Sequence, residues 1–181
     1  MTPAYREDKT TQAASLLLKE NHNKMPYLKL LKLLYLIDRE ALKQWGRAIT
    51  FDKYVSMDFG PVLSTTYNRI NIEPAPGEEF YWHQYISEPK HYEVKLKKDP
   101  GIGALSDAEI GLIKKIDKKF KHMDRFDLSD LTHNLPEWEN PHGSSIPISL
   151  DSLLHHLGKD EKETELIKDE LDAAEFLDEL K

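Results

Sequence analysis

The segment from Pro26 to Gly46 constrains the fold more than any other part of the chain. Leu30, Leu33, Leu34, Ile37 and Ala41 recur at helical spacing, and Leu28, Leu31, Tyr35 and Leu42 form a second stripe beside them. Pro26 suits the first turn of a helix, where its missing N–H costs nothing. Gly46 suits the exit, where a left-handed residue closes the last turn. An apolar surface this wide has to be covered on more than one side. The spacing therefore predicts a central buried helix with other elements packed around it.

The flanking sequence predicts what those elements are. A first helix spans residues 5–20, with Ala13, Leu16 and Leu17 on one face and Asn21-His22-Asn23 at its end. Residues 47–59 read as a connector with a short strand near Tyr54-Val55, and Gly60-Pro61 as the entry to a helix reaching about Ile70. Pro74, Pro76 and Gly77 mark a loop. The aromatic run Phe80 to Ile86 and the alternating run His91 to Leu96 suggest a small antiparallel hairpin. Ser106 and Glu109 form a capping box ahead of a helix to about Lys121, whose apolar face carries Ile110, Ile113, Ile116 and Phe120. Asp127 reads as the cap of a shorter helix closed by Pro136, Pro141 to Pro147 as a loop, and Ser149 as the cap of a helix through Leu154. Gly158 ends the body, and residues 160–180 form a last helix with Ile167, Leu171, Ala174 and Leu177 on one face. The expected fold class is mainly α (α+β): a compact multi-helix body over residues 1–158 with a small antiparallel sheet, followed by an acidic helix over 159–181.

Charge placement sharpens that division. Residues 1–150 are balanced, whereas residues 151–181 hold 11 acidic and 4 basic side chains, the whole net charge of −7. Such asymmetry suggests an interaction segment. Nothing resembles the basic stripe that duplex DNA binding requires, so direct DNA binding is not expected. No apolar run approaches the ~20 residues of a membrane span, and the first residues lack the apolar core of a secretory signal. A cytoplasmic protein with no membrane partner is expected.

Catalytic signatures are sparse. The chain has no cysteine, which removes thiolate zinc sites and cysteine nucleophiles. None of its eight histidines belongs to an H-E-x-x-H, and no G-x-S-x-G occurs. Gly101-x-Gly103 lacks the further glycine and lysine of a phosphate cradle. No cofactor or metal is expected. Thr132-His133 near Trp138 is the best-placed polar cluster, and a small hydrolase or metal-assisted enzyme centred on His133 is the enzymatic alternative. Against it stands a structural histidine that hydrogen-bonds the loop holding Trp138. Lys29 and Lys32 share one helix face, where they either meet an acidic partner or reach from a crowded helix to solvent.

Four motifs, in order, resemble a known family. Lys29-Leu30-Leu31-Lys32-Leu33-Leu34-Tyr35, Phe59-Gly60-Pro61-Val62 with Tyr67, Leu105-Ser106-Asp107-Ala108-Glu109, and Leu128-Ser129-Asp130-Leu131-Thr132-His133 with Pro136 and Trp138 are similar to those of the Panacea domain, also called the SocA-like antitoxin domain. The resemblance covers roughly residues 8–155. Departures are Met57-Asp58-Phe59, where the family has Tyr or Trp-x-Tyr before Gly-Pro, and Leu31, where it often has Gln.

The resemblance implies a mainly helical, non-enzymatic antitoxin of a bacterial or phage toxin–antitoxin pair. Such an antitoxin neutralises a cognate protein toxin by direct contact, and some members act as adaptors that deliver it to a protease. The expected contact surface is either the face around Gly60, His133 and Trp138, with Asp58, Phe59 and Pro61, or the exposed edge bearing Lys29 and Lys32, and Tyr35 is a further expected contact residue. Charge placement, not the resemblance, adds the expectation that the acidic helix, with Ile167, Leu171 and Leu177, enters a basic toxin active site. That helix could equally strap onto its own body or form the seam of a homo-oligomer.

Overall fold

The computed structural model describes residues 4–180. The elements are α1 (Glu7–Glu20), β1 (Lys24–Pro26), α2 (Tyr27–Trp45), β2 (Tyr54–Met57), β3 (Gly60–Leu63), α3 (Ser64–Asn71), α4 (Tyr81–Tyr85), β4 (Glu93–Lys95), α5 (Asp107–Phe120), α6 (Arg125–His133), β5 (Ile146–Ile148), α7 (Leu150–His156) and α8 (Glu161–Glu179). The fold is mainly helical with a small antiparallel part, as the sequence predicts.

Helix α2 is the core. Leu30, Leu31, Leu33, Leu34, Tyr35 and Ile37 are fully buried, each apolar one contributing roughly 1.5–3 kcal/mol by leaving water. Pro26 precedes the first turn, and Gly46 closes the last at φ 66°. Around it pack α1, α5, α6, β1, α3 and β3.

Two small sheets brace this core. Strand β2 is central to the order β3-β2-β5, with Val55 opposite both Val62 and Pro147. Strands β1 and β4 form the other, with Met25 opposite Val94.

Four expectations change. Gly60-Pro61 starts a strand, because Asp58-Phe59 turns the chain back onto β2 and Gly60 sits at φ 97°. The helix begins later, at Ser64, and its first N–H groups are capped from afar: the Asp52 carboxylate accepts from Thr65 N and Thr66 N, both at 2.8 Å. The aromatic run 80–86 forms a single helical turn, which places Trp82 and Ile86 together in the core. Strand β4 pairs with β1, and the residues just after it meet the 80–86 run at the Ile86–Leu96 bridge and through Lys97 N, which donates to Tyr85 O at 2.7 Å. Asp124 caps α6, and Asp127 is the third-residue half of that capping box. Within the expected 141–147 loop, Ile146-Pro147 already belong to β5, the edge strand on β2. The Ser106–Glu109 box and the Ser149 cap are both formed as expected.

Helix α8 straps onto the body. Ile167 and Leu171 are buried, and Lys168 pairs with Asp151 of α7 at 3.0 Å. Ile167 packs so tightly over Gly46 that a Cβ there would lie 2.8 Å from its Cγ1. Leu177 faces solvent instead. At 100° per residue it lies about 20° from Leu166 and about 80° from Ile167, so it belongs to a different stripe. Gly46→Ala therefore combines a left-handed backbone with a side-chain clash. It is expected to cost about 1–2 kcal/mol and to speed amide exchange in residues 161–171, read by denaturant unfolding and hydrogen exchange.

Candidate functional site

The buried polar residues of α2 are spaced at three-residue steps: Lys29, Lys32, Tyr35 and Asp38. All four are buried. Each step turns the side chain back by about 60°, so the row winds half-way round the helix and meets a different element each time. Lys29 Nζ donates to the carbonyls of Lys121 and Met123 at 3.0 and 2.7 Å, at the C-terminal end of α5, where carbonyls lack helix partners. Lys32 Nζ donates to Pro61 O of β3 at 2.8 Å. Tyr35 OH donates to Glu137 Oε1 at 2.7 Å, and Arg39 closes on the same carboxylate with Nε at 2.6 Å. Asp38 accepts from Ile49 N, Thr50 N, Thr50 Oγ1 and Tyr54 OH.

Burial sets the electrostatics of this row. It depresses the Lys29 ammonium and pushes that of Lys32 down to about 7, because no carboxylate stands beside Lys32 to offset desolvation. It raises Asp38 to about 6 despite the four donors. At Glu137 burial also works upward, but the Arg39 guanidinium and the Tyr35 hydroxyl hold it below the usual range.

Gly60 lies against Lys32. A Cβ there would sit 2.5 Å from Thr132 Oγ1 and 3.1 Å from Lys32 Nζ. Thr132 is itself fixed, donating to Leu128 O and Ser129 O. The Gly-Pro pair and the Leu-Thr-His segment are thus two halves of one close contact.

The β2–β3 turn above it is held at every residue. Trp138 Nε1 donates to Met57 O at 2.9 Å, Ser129 Oγ to Phe59 O at 2.8 Å and Gly143 N to Asp58 Oδ1 at 2.9 Å. His133 Nε2 lies 2.7 Å from Asp58 O. A carbonyl only accepts, so Nε2 carries the proton. The His133 and Trp138 rings meet at 4.4 Å between centroids. Among the described residues, no group of three or more His, Asp or Glu is arranged to hold a metal. Phe59, at the tip, is 60% exposed.

Beside this tip runs a groove of about 480 Å³, floored by Leu28, Leu31 and Val62. Phe59, Tyr92 and Phe126 stand on its rim, all more than half exposed. Arg125 stacks on both Tyr92 and Phe126, 5.1 and 4.8 Å from their ring centres.

Residues 30–139 match the family described as antitoxin SocA-like, Panacea domain. The chain belongs to that family. Neither the comparison with curated proteins nor that with solved structures gives a match. The Panacea match is narrower than the expected 8–155 and leaves α1, β1, the first three residues of α2, β5, α7 and α8 outside it. Within it, the motif residues Lys32, Tyr35, Gly60, Pro61, Thr132, His133 and Trp138 converge on one framework.

That convergence corrects several expected contact residues. Lys29 and Lys32 do not form an exposed edge, and Tyr35 is buried beside them; the tips of all three are engaged inside the protein. Gly60 and Pro61 are buried, and so are Ile167 and Leu171. Asp58 and Phe59 are exposed, His133 and Trp138 are half-buried supports beneath them, and Leu177 is exposed. Sequence reasoning missed Tyr92, Arg125, Phe126 and Ser129. Tyr92 was legible only as a strand residue, but at φ 65° it stands outside β4. Phe126 carried a weak signal, a large aromatic in the first turn of a helix whose cap was misplaced.

Two outcomes follow from the Panacea framework. Between pH 7 and 10 the unfolded chain binds more protons at Lys32 than the folded one, so this residue makes stability rise with pH, by up to about 1.4 kcal/mol per unit. Urea unfolding at pH 7, 8 and 9 should show that slope in the wild type and lose it in Lys32→Met. Gly60→Ala should cost about 2–3 kcal/mol in the same assay, from the φ and the Thr132 clash together.

Proposed function

We propose that this protein is the antitoxin of a toxin–antitoxin pair and that it neutralises its cognate protein toxin by direct contact, with Phe59 as the anchor. One observation carries the choice of surface: a large aromatic side chain is held out in solvent on a turn fixed by four hydrogen bonds from α6 and the segment after it. Ordering a side chain and its loop is a main cost of association, and here the fold has met it in advance. Exposed aromatics on a rigid support are what dominate binding energy in protein interfaces. The family supplies the general role.

No helix among the described residues is long and apolar enough to cross a membrane. A toxin met in the aqueous phase is consistent with that.

The test is co-expression with the neighbouring open reading frame. That neighbour should arrest growth alone, and this chain should restore growth and co-purify with it. Phe59→Ser should weaken the complex about thirtyfold, near 2 kcal/mol, with an unchanged melting curve. His133→Ala should weaken it less and lower the melting temperature, because it loosens the turn without removing the anchor. A harmless neighbour that does not co-purify overturns the antitoxin reading. Full affinity of Phe59→Ser overturns the surface while leaving the role intact.

A further inference from the structure

The charge of residues 1–150 balances only as an average, and helix α5 breaks the balance locally. Between residues 114 and 121 it carries Lys114, Lys115, Lys118, Lys119 and Lys121, all exposed. The one carboxylate in that stretch, Asp117, is buried and accepts from Asn21 Nδ2 at 2.7 Å. At 100° per residue the five lysines span an arc of about 160°, the outward face of the last two turns. Lys121 Nζ donates to Glu20 O at 2.8 Å. Among the described residues, Lys114, Lys115 and Lys118 have no hydrogen-bond or ion-pair partner.

Stability alone does not favour this arrangement. Lys114–Lys118 and Lys115–Lys119 are like charges four residues apart, and Lys115–Lys118 and Lys118–Lys121 are three apart, spacings at which they repel. The negative end of a helix favours cations within its last turn only. That accounts for Lys118 and Lys119 and not for Lys114 and Lys115. The same pattern recurs beside it. Lys24 of β1 stands directly opposite Lys95 of β4, and both are exposed, although like charges opposite one another destabilise a sheet. Lys24 shares its face of the strand with Pro26, and Pro26 lines one cleft with Lys121, His122 and Arg125 at the end of α5. Asp124 in that cleft is engaged as the cap of α6, and Glu93, opposite Pro26, is the one carboxylate of the two strands.

What this face lacks decides its partner. None of the exposed large apolar side chains lies on α5. Protein interfaces are anchored by such groups and depleted in lysine, whereas a phosphate backbone is held by cations alone. The acidic helix does not cancel the field. Its Ile167 sits on Gly46, about 26 Å along α2 from Lys29, whose Nζ meets the end of α5. That separation is about three Debye lengths at physiological salt.

We propose that the lysine face of α5, continued by Lys24 and Lys95, binds the sugar-phosphate backbone of a nucleic acid without reading its bases. The face is separate from the Phe59 turn, whose groove has no α5 residue in its lining, and its role does not depend on the antitoxin reading. The expectation against DNA binding rested on charge averaged along the sequence; the fold gathers the lysines that the average disperses.

Fluorescence anisotropy of the full chain, without any toxin, tests this with two labelled probes of equal length and mixed sequence, a DNA duplex and a single-stranded RNA. Binding should weaken with salt at a slope of about −0.9 per phosphate on the duplex, or about −4.5 for five lysines. Lys114→Glu/Lys118→Glu should weaken binding more than about tenfold. Lys43→Glu/Lys162→Glu, at exposed positions on α2 and α8 and with the same change in net charge, should leave it within about twofold. Lys24→Glu should weaken binding and also raise the melting temperature, because it turns a repulsive cross-strand pair into an attractive one. Tighter binding of the duplex or of the RNA supports the proposal and tells which nucleic acid is held. No binding of either probe at low salt overturns it. So does equal weakening by the two double variants, which would assign the effect to net charge. Displacement by polyglutamate as readily as by unlabelled probe also overturns it, and would assign the face to an acidic protein.

Discussion

Lys29, Lys32, Tyr35 and Asp38 tie α2 to the end of α5, to β3, to the segment after α6 and to the connector before β2. Apolar packing alone would bury α2 but would not fix which element lies at which height and angle, because it is non-directional. A buried polar group is different. Left unpaired it costs about 1–3 kcal/mol, more when charged, so each of these four tolerates only the arrangement that supplies its partner. The three-residue step matters here. It winds the row around the helix, and four separate elements are registered against a single rod.

The turn that carries Phe59 depends on this registration at second hand. Lys32 fixes Pro61, Gly60 lets β3 approach Thr132, and α6 is thereby placed so that Ser129 and His133 reach the turn. The motif residues of the family are therefore mostly internal joints. What they present, Asp58 and Phe59, is where this chain departs from the usual pattern.

Much of this was legible from the sequence. The double stripe of α2, the Ser106–Glu109 and Ser149 caps, the alternation around Val94 and the acidic last helix all rest on contacts within a few residues, and those contacts formed. His133 does act as a support, but its hydrogen bond goes to Asp58 O of the β2–β3 turn, and it meets Trp138 only ring to ring. Apart from the α6 cap, where two nearby aspartates competed, the misses share a cause. The cap of α3 comes from Asp52, the partner of β4 is β1, and the polar tips of Lys29 and Lys32 end on carbonyls about ninety and thirty residues away. No local pattern encodes a partner at that separation, and an amphipathic lysine reads the same whether its ammonium meets solvent or a carbonyl.

The last helix shows the division plainly. Its composition determined that it would be a helix, acidic and apolar on part of its surface. Sequence periodicity alone placed Ile167, Leu171 and Leu177 on one face, because a wide apolar arc does not announce where it divides. Only the tertiary structure, by seating Ile167 on Gly46, decided which part of the arc is spent on the body and which is left to water. The sequence thus determined the elements and the central rod, through periodicity and caps that act over one or two turns. The tertiary structure decided which polar groups are joints and which aromatics are exposed, because burial and hydrogen-bond partners are properties of the assembled chain.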